Sequence, residues 1–526
     1  MGAGTIRAAI GGLALLGAAG APAQVWRADQ GDGSYRNPVL FADYPDPDII
    51  RVGGDYYFVT TTFANAPGLT VLHSKDLVNW TILSHVVSKL DDRLEYRLTE
   101  GKDVYRRGFF AASLRHHDGM FYVVVTPVGQ NSRIYRSRDP RGPWTMNELD
   151  RAAFDPGFFI EAGGTGHIAT SIGSDGTIRL LTLDREYRRV IADRQIHYIR
   201  GAEGSKIVRR GDYYYLFNAI PRRLGLTVSR SRSLTGPWET RPQIDDRSGG
   251  HQGALVDTAD GTWVGFVMID AGSIGRMTNL SPVFWRNDWP VWGTPDAPDR
   301  VPDRAAKPVG GFAFAEPATS DDFARPTMGL QWQWNHAPDD RRWSLRERPG
   351  FLRLRPTQSA DLWRARNTLT QKAQGPRSRA EVKLDISHVA KGDRCGFGTF
   401  GQYSATLAVT RDDRGAPALS MDVIESTESG PKVDRRVRGV PVRGDTLWMA
   451  LDLDFTTDRG RLSYSGDGRR WQAVGGTFPL AFAWRTGTFQ GQQMALSCYN
   501  PTPGAGYLDI DSFTLNSAAA AAEDRK

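Results

Sequence analysis

Gly53-Gly54-Asp55-Tyr56-Tyr57-Phe58-Val59 reads as a tight turn that runs straight into an aromatic strand. The same arrangement returns four times: His117-Asp118-Gly119-Met120-Phe121-Tyr122-Val123, Asp175-Gly176-Thr177-Ile178-Arg179-Leu180, Arg210-Gly211-Asp212-Tyr213-Tyr214-Tyr215-Leu216 and Asp260-Gly261-Thr262-Trp263-Val264-Gly265. Three copies are followed by a second element ending in tryptophan: Ser74-Lys75-Asp76-Leu77-Val78-Asn79-Trp80, Ser137 to Trp144, and Ser231 to Trp238. Strand-only repeats of roughly 40 to 60 residues predict a β-propeller, and five copies predict five blades over residues 31–293. No sustained 3.6-residue apolar pattern competes with this. The alternative is a β-sandwich whose hairpins resemble one another by chance.

Downstream, residues 294–318 interrupt the pattern. Pro295, Pro298, Pro302, Pro308 and Pro317 alternate with charges and Gly310-Gly311, which reads as a linker. Strand alternation then resumes without the repeat. Ala380, Val382, Leu384 and Ile386 share one face, as do Leu447, Met449, Leu451, Leu453 and Phe455, and Tyr464 to Trp471 is a hairpin. Residues 319–517 therefore read as an antiparallel β-sandwich, and the fold class is all-β. The Ala-rich tail from Ser517 is expected to fray.

Upstream, residues 1–23 have the form of a signal peptide. Arg7 is the positive region, Ala8 to Ala19 the short apolar run, and Ala21-Pro22-Ala23 the small-x-small cleavage site. The alternative is a buried N-terminal helix. The expected location is secreted or periplasmic. The chain is 24% charged and 40% hydrophobic, as ordinary globular proteins are. Its net charge of +7 is spread along the chain, so no nucleic-acid arm is present, and no later segment is long enough to span a membrane. Export permits a disulfide between Cys395 and Cys498; two buried thiols in neighbouring strands are the equal alternative.

Three acids stand out in short motifs. Asp46 lies in Tyr44-Pro45-Asp46-Pro47-Asp48, Asp155 in Phe154-Asp155-Pro156-Gly157, and Glu203 in Ala202-Glu203-Gly204-Ser205-Lys206. Each precedes an aromatic or apolar strand, so carboxylates from separate blades are expected to converge on one cleft. Acetal hydrolysis needs such a set: one carboxyl protonates the leaving oxygen and another activates water.

These motifs resemble glycoside hydrolase family 43. Asn37-Pro38-Val39-Leu40, then Tyr44 to Tyr57, is similar to the family's first-blade motif. Val71 to Trp80, Gly250-His251-Gln252-Gly253-Ala254-Leu255-Val256-Asp257-Thr258 and Trp289-Pro290-Val291-Trp292-Gly293 are similar to other family segments. Trp332 to His336 and Ala365 to Gln371 resemble the concanavalin-like sandwich appended to its β-xylosidase and α-L-arabinofuranosidase branches. The resemblance implies an exo-acting, inverting hydrolase that removes terminal β-D-xylose or α-L-arabinofuranose from xylan, arabinoxylan or arabinan fragments. It implies Asp46 as general base, Glu203 as general acid and Asp155 as the residue that orients the acid and raises its pKa. It implies sugar contacts from Arg276, Phe110, Phe63 and His251, with Arg276 also holding Asp46 ionised. A non-catalytic carbohydrate-binding protein on the same scaffold is the alternative function.

Departures from the family pattern concern the pocket wall. Ala64-Asn65-Ala66 follows Phe63 where relatives carry bulky aromatics, which predicts a more open wall. Phe110-Ala111-Ala112 replaces Trp-Ala-Pro, and Gly157 to Gly164 replaces an acidic turn. No cofactor is required by acid–base chemistry. One reading adds a structural Ca²⁺, near His251 on the propeller axis or in the sandwich, where Asp321, Asp322, Asp509 and Asp511 offer hard oxygens; the equal alternative is that these carboxylates face solvent. Oligomeric state is open.

Overall fold

The computed structural model describes residues 26–172, 175–244 and 249–516. The expected leader and the tail from Ser517 lie outside them. Within them, the only helices are 3-10 turns of three residues, and none is long and apolar enough to cross a membrane.

Five antiparallel sheets form a ring. Their innermost strands are Asp48–Val52, Ser113–His117, Gly157–Ile160, Glu203–Arg210 and Gly250–Asp257, and each packs against the next around the circle, the last against the first. This is a five-bladed β-propeller. Period-2 burial explains the strands: in Asp55–Thr60, Tyr56 and Phe58 are buried while Asp55 and Tyr57 are only partly covered. Separate apolar clusters fill the spaces between blades, such as Val59, Val71, Leu114 and Val123 between the first and second. Burial between blades, rather than in one central core, holds the ring together.

Four of the five Asp/Gly turns join the first and second strands of a blade. The third is displaced by one hairpin: Asp175-Gly176 joins Gly166–Ser171 to Thr177–Leu183, the second and third strands of its blade. There the inner hairpin turns instead at Glu161–Thr165, closed by a 2.9 Å bond from the Glu161 amide to the Thr165 carbonyl.

The stretch 294–318 does not hang free. Ala297–Pro298 adds an edge strand to the fifth blade, and Arg304–Ala306 pairs with Ser34–Arg36 near the other end of the propeller. The Lys307 ammonium is buried between Asp29 (2.6 Å) and Asp76 (2.8 Å). These contacts tie the first and last blades together.

The second unit is two facing antiparallel sheets around one core that includes Val382, Leu384, Phe397, Leu451, Leu496 and Phe513. Ala380, Val382 and Leu384 alternate inward along Arg377–Asp385, as the pattern predicts. Cys395 and Cys498 lie opposite each other on neighbouring strands and are joined as a disulfide.

The two units share structure. Asn65–Ala66, between strands of the first blade, pairs antiparallel with Gln333–Asn335 and becomes the edge strand of one sandwich sheet. Propeller residues Ile274 and Met277 belong to the sandwich core. The expectation of an open wall is therefore corrected. Ala64, Asn65 and Ala66 are 2–3% exposed, because small side chains let the sandwich strand dock there. The Asn65 amide is bonded to Gln490 (3.3 Å) and Thr370 (3.4 Å) of the sandwich.

Candidate active site

The three acids sit where inner strands begin. Asp46 lies two residues before Asp48–Val52, Asp155 two before Gly157–Ile160, and Glu203 opens Glu203–Arg210. Asp46 (φ 54°) and Asp155 (φ 43°) are both left-handed, a conformation that aspartate tolerates better than most residues. The chain therefore turns sharply just before each strand. Gly157 brings two of the entrances close: a Cβ there would lie 1.6 Å from the Ser205 carbonyl oxygen, so only glycine lets these inner strands touch.

Asp46 is buried and held from two sides. The Thr61 hydroxyl donates to Oδ2 at 2.6 Å, and Nη1 of Arg276 faces Oδ1 at 3.4 Å. Arg276 is itself placed by its amide, which donates to Asp43 Oδ1 at 2.8 Å, and by Nη2, which donates to the Phe489 carbonyl at 3.3 Å. Its guanidinium carbon lies 4.5 Å from the Phe489 ring centre and 5.3 Å from that of Phe63. Phe489 belongs to the sandwich. A residue from the second unit thus completes the surroundings of Asp46.

Electrostatics separates the acids. Burial pushes Asp155 well above the usual carboxylate range, and the charges of Asp46 and Glu203 add to this, opposed by Lys206 and Arg276. Burial also raises Glu203; His251 opposes the shift and Asp46 adds to it. Glu203 and Asp155 therefore also act on each other, and the buried Oδ1 of Asp155 has no protein partner.

Behind the acids lies a buried ion network that the sequence motifs do not announce. Asp48 Oδ2 accepts from the Ser113 hydroxyl (2.6 Å), the Leu114 amide (3.0 Å) and Arg115 Nη1 (2.9 Å), with Lys206 Nζ 3.6 Å away. Burial opposes its ionisation, but Arg115 and Lys206 outweigh that and lower its pKa. Lys206 is 2% exposed, and burial lowers its pKa against the attraction of Asp48, Asp46 and Asp155. The network joins side chains from the inner strands of the first, second and fourth blades.

Phe63 and Phe110 both stand in the wall. Their ring centres are 5.2 Å apart, and Phe489 is 5.1 Å from Phe63 and 6.1 Å from Phe110. His251 is buried beside Glu203. Its Nε2 is 3.1 Å from Asp270 Oδ1, and its Nδ1 has no protein partner. Asp155 and Phe110 also line a cleft of about 920 Å³ that runs out past Arg93, Gln130, Asn131 and Glu148. All seven residues singled out by sequence thus gather around one site.

Three of the four carboxylates offered as calcium ligands are already engaged by other groups. Asp509 is paired with Arg353 (2.8 Å) and Arg348 (3.0 Å), Asp511 with Lys383 (2.5 Å), and Asp321 accepts from Trp332 Nε1 (3.0 Å). Among the described residues no group of three or more His, Cys, Asp or Glu side chains is arranged to hold a metal.

Thr61, Lys206, Asp48 and Phe489 are the residues that sequence reasoning missed. Asp48 and Lys206 are the last residues of motifs already quoted, two after Asp46 and three after Glu203, but no role was read for them there. Phe489 carries no local signal, because its contact depends on the docking of the second unit.

Comparison with known proteins follows the same division of the chain. The family described as glycosyl hydrolases family 43 matches residues 35–290, and the one described as the beta xylosidase C-terminal concanavalin A-like domain matches residues 320–516. A putative beta-xylosidase of Xylanibacter ruminicola is 31% identical over 86% of this chain and 85% of its own. A non-reducing end alpha-L-arabinofuranosidase of Bacteroides ovatus is 32% identical over 81% of this chain and 84% of its own. Among solved structures, a bifunctional GH43-CE protein of Bacteroides eggerthii superposes with a TM-score of 0.83 at 31% identity. It covers 92% of this chain, which spans 63% of that longer protein.

Proposed function

The chain belongs to glycoside hydrolase family 43, and from this we propose that it removes terminal pentose, β-D-xylose or α-L-arabinofuranose, from hemicellulose-derived glycans by inversion. The observation that carries the proposal is the unequal surroundings of the acids. Asp46 sits between a hydroxyl donor and a guanidinium, while Glu203 is pushed toward its protonated form. That is the division of labour acetal hydrolysis needs, with a base for water and an acid for the leaving oxygen.

In the mechanism, Asp46 takes a proton from water as the water attacks the anomeric carbon. Glu203 gives its proton to the glycosidic oxygen in the same displacement. Asp155, neutral, hydrogen-bonds sugar or acid rather than exchanging protons. Arg276 keeps Asp46 in place and donates toward the sugar. Phe63, Phe110 and Phe489 exclude water from one side, which strengthens each electrostatic contact within. The burial of Asp46 and Arg276 beneath these rings supports exo action, since it favours a chain end over a chain middle. We further propose that residues 1–23 direct export, a reading that the Cys395–Cys498 disulfide supports.

The test is pentose release from xylo-oligosaccharides, arabinoxylan and arabinan, with the first anomer followed by NMR. Inverted xylose or arabinose is expected. A retained anomer overturns the mechanism, and binding without release favours the carbohydrate-binding alternative.

A further inference from the structure

Buried charged residues lead from Asp46 into the second unit. Nη1 of Arg276 faces Asp46 Oδ1 at 3.4 Å, and the Arg276 amide donates to Asp43 Oδ1 at 2.8 Å. Lys372 of the sandwich comes next: its Nζ lies 5.2 Å from the ring centre of Tyr44, the residue after Asp43. All four charged residues are at most 9% exposed.

The backbone brings these groups together. A Cβ on Gly275 would lie 2.3 Å from Asp43 Oδ1, so glycine is what lets the carboxylate reach the start of Arg276–Arg286. On the other side the Gly375 amide donates to the Phe41 carbonyl at 2.9 Å, and a Cβ on Gly375 would lie 2.3 Å from the Phe41 ring. Residues 372–375 of the sandwich therefore run against residues 41–44 of the propeller, the segment that leads into Asp46.

Each side of this contact carries an unanswered polar atom. Asp43 Oδ2 and Lys372 Nζ are both buried without a protein partner. Burial and Arg276 disfavour the charge on Lys372, and Asp43 is the carboxylate that favours it. Burial pushes His85, which feels the charge of Lys372, down to about 4, so it adds no charge of its own near neutral pH. Lys206 and Arg115 are committed to Asp48, and Asp270 is paired with His251. One guanidinium cannot balance both carboxylates that flank it, Asp43 and Asp46, and an uncompensated buried charge is costly.

We propose that Lys372 is the counter-ion of Asp43 and that the two are positioning residues, which together hold Arg276 against Asp46. This rests on the glycosidase reading above and deepens it. The two side chains are not bonded directly, but in a buried setting charge acts across a gap. They act through Arg276 and not on the sugar. The sandwich then contributes a charge to the surroundings of the base, in addition to the ring of Phe489.

The experiment is a double-variant cycle on the full chain: Lys372→Met, Asp43→Asn and the two combined. Asparagine keeps an acceptor for the Arg276 amide and removes the charge. Melting temperature is measured, and kcat on pentose-terminated oligosaccharides at a temperature where the variants are folded. Each single change leaves one buried charge unbalanced and is expected to lower kcat about tenfold, and the combined variant to regain most of that loss. Losses that multiply in the combined variant overturn the pair. A lower melting temperature with kcat unchanged overturns the positioning role, because a merely structural contact gives that result. If Lys372→Met does not fold, the combined variant decides: folded and turning over supports the pair, and unfolded overturns it. If the parent chain hydrolyses no pentoside, the glycosidase reading falls by itself. The cycle in melting temperature then still decides the pairing: recovery in the combined variant supports it, and additive losses overturn it.

Discussion

The Thr61 hydroxyl donates to Asp46 Oδ2 at 2.6 Å, while Oδ1 takes the longer 3.4 Å contact from Arg276. If Asp46 is the base, the buried hydroxyl fixes the orientation of its carboxylate. Removing it in Thr61→Val should lower kcat about tenfold to a hundredfold with the fold intact, whereas Asp46→Asn should lower it about a thousandfold or more. Steady-state pentose release checks both, and an unaffected Thr61→Val would mean that the bond has no part in orienting the base.

Glu203 supplies a proton only while it holds one. Its pKa is raised, so the high-pH limb of kcat/KM should lie above the ordinary glutamate range. In Glu203→Gln, hydrolysis of natural glycosides should nearly vanish. Aryl glycosides with strongly acidic phenols, which leave without protonation, should retain far more of their rate. A pH profile and one such substrate pair test this; equal losses on both substrates would remove Glu203 from the role of acid.

Asp155 costs stability when it ionises. Its pKa in the folded state lies above that in the unfolded chain, so the native state binds the extra proton. The penalty is absent below the unfolded pKa, grows as pH rises toward the folded pKa, and is then constant. Asp155→Asn should accordingly raise Tm at pH 7 and lose that advantage near pH 4. Thermal melts at the two pH values check the sign, and a lower Tm at pH 7 would contradict it.

Phe489 reaches Arg276 from the other unit. Phe489→Ala opens the wall beside the base and removes a ring from the guanidinium. The expected outcome is a fall in kcat/KM of about tenfold, carried mainly by KM, with the melting temperature nearly unchanged because the ring is only half-buried. An unchanged kcat/KM would confine the sandwich to a supporting part.

The disulfide closes a long loop, with Cys395 and Cys498 separated by 103 residues. Replacing both in Cys395→Ala/Cys498→Ala should lower stability by about 2–4 kcal/mol. Denaturant titration of the parent chain with and without reductant should reproduce the difference. No effect of either would show that strand pairing alone holds this edge.

The propeller was legible because its turns are written locally: an Asp/Gly pair and the aromatic strand after it need nothing from the rest of the chain. The displaced turn of the third blade shows the limit, since Asp175-Gly176 looks the same whichever hairpin it closes. The site was legible for the same reason, as Asp46, Asp155 and Glu203 stand at strand entrances marked by Pro or Gly. Contacts between distant segments left no such mark. Ala64-Asn65-Ala66 reads as missing bulk and is in fact an edge strand claimed by the sandwich. Lys206 carries no mark of burial in the sequence and is buried against Asp48, because its strand lies at the centre of the ring.

That edge strand has a consequence for descent. Because Asn65–Ala66 belongs to one unit by chain and to the other by pairing, recombination at the Pro-rich stretch between them would break a sheet as well as the chain. New specificities in this lineage are expected to arise by drift on both sides of the seam together, not by exchange of a sandwich for another.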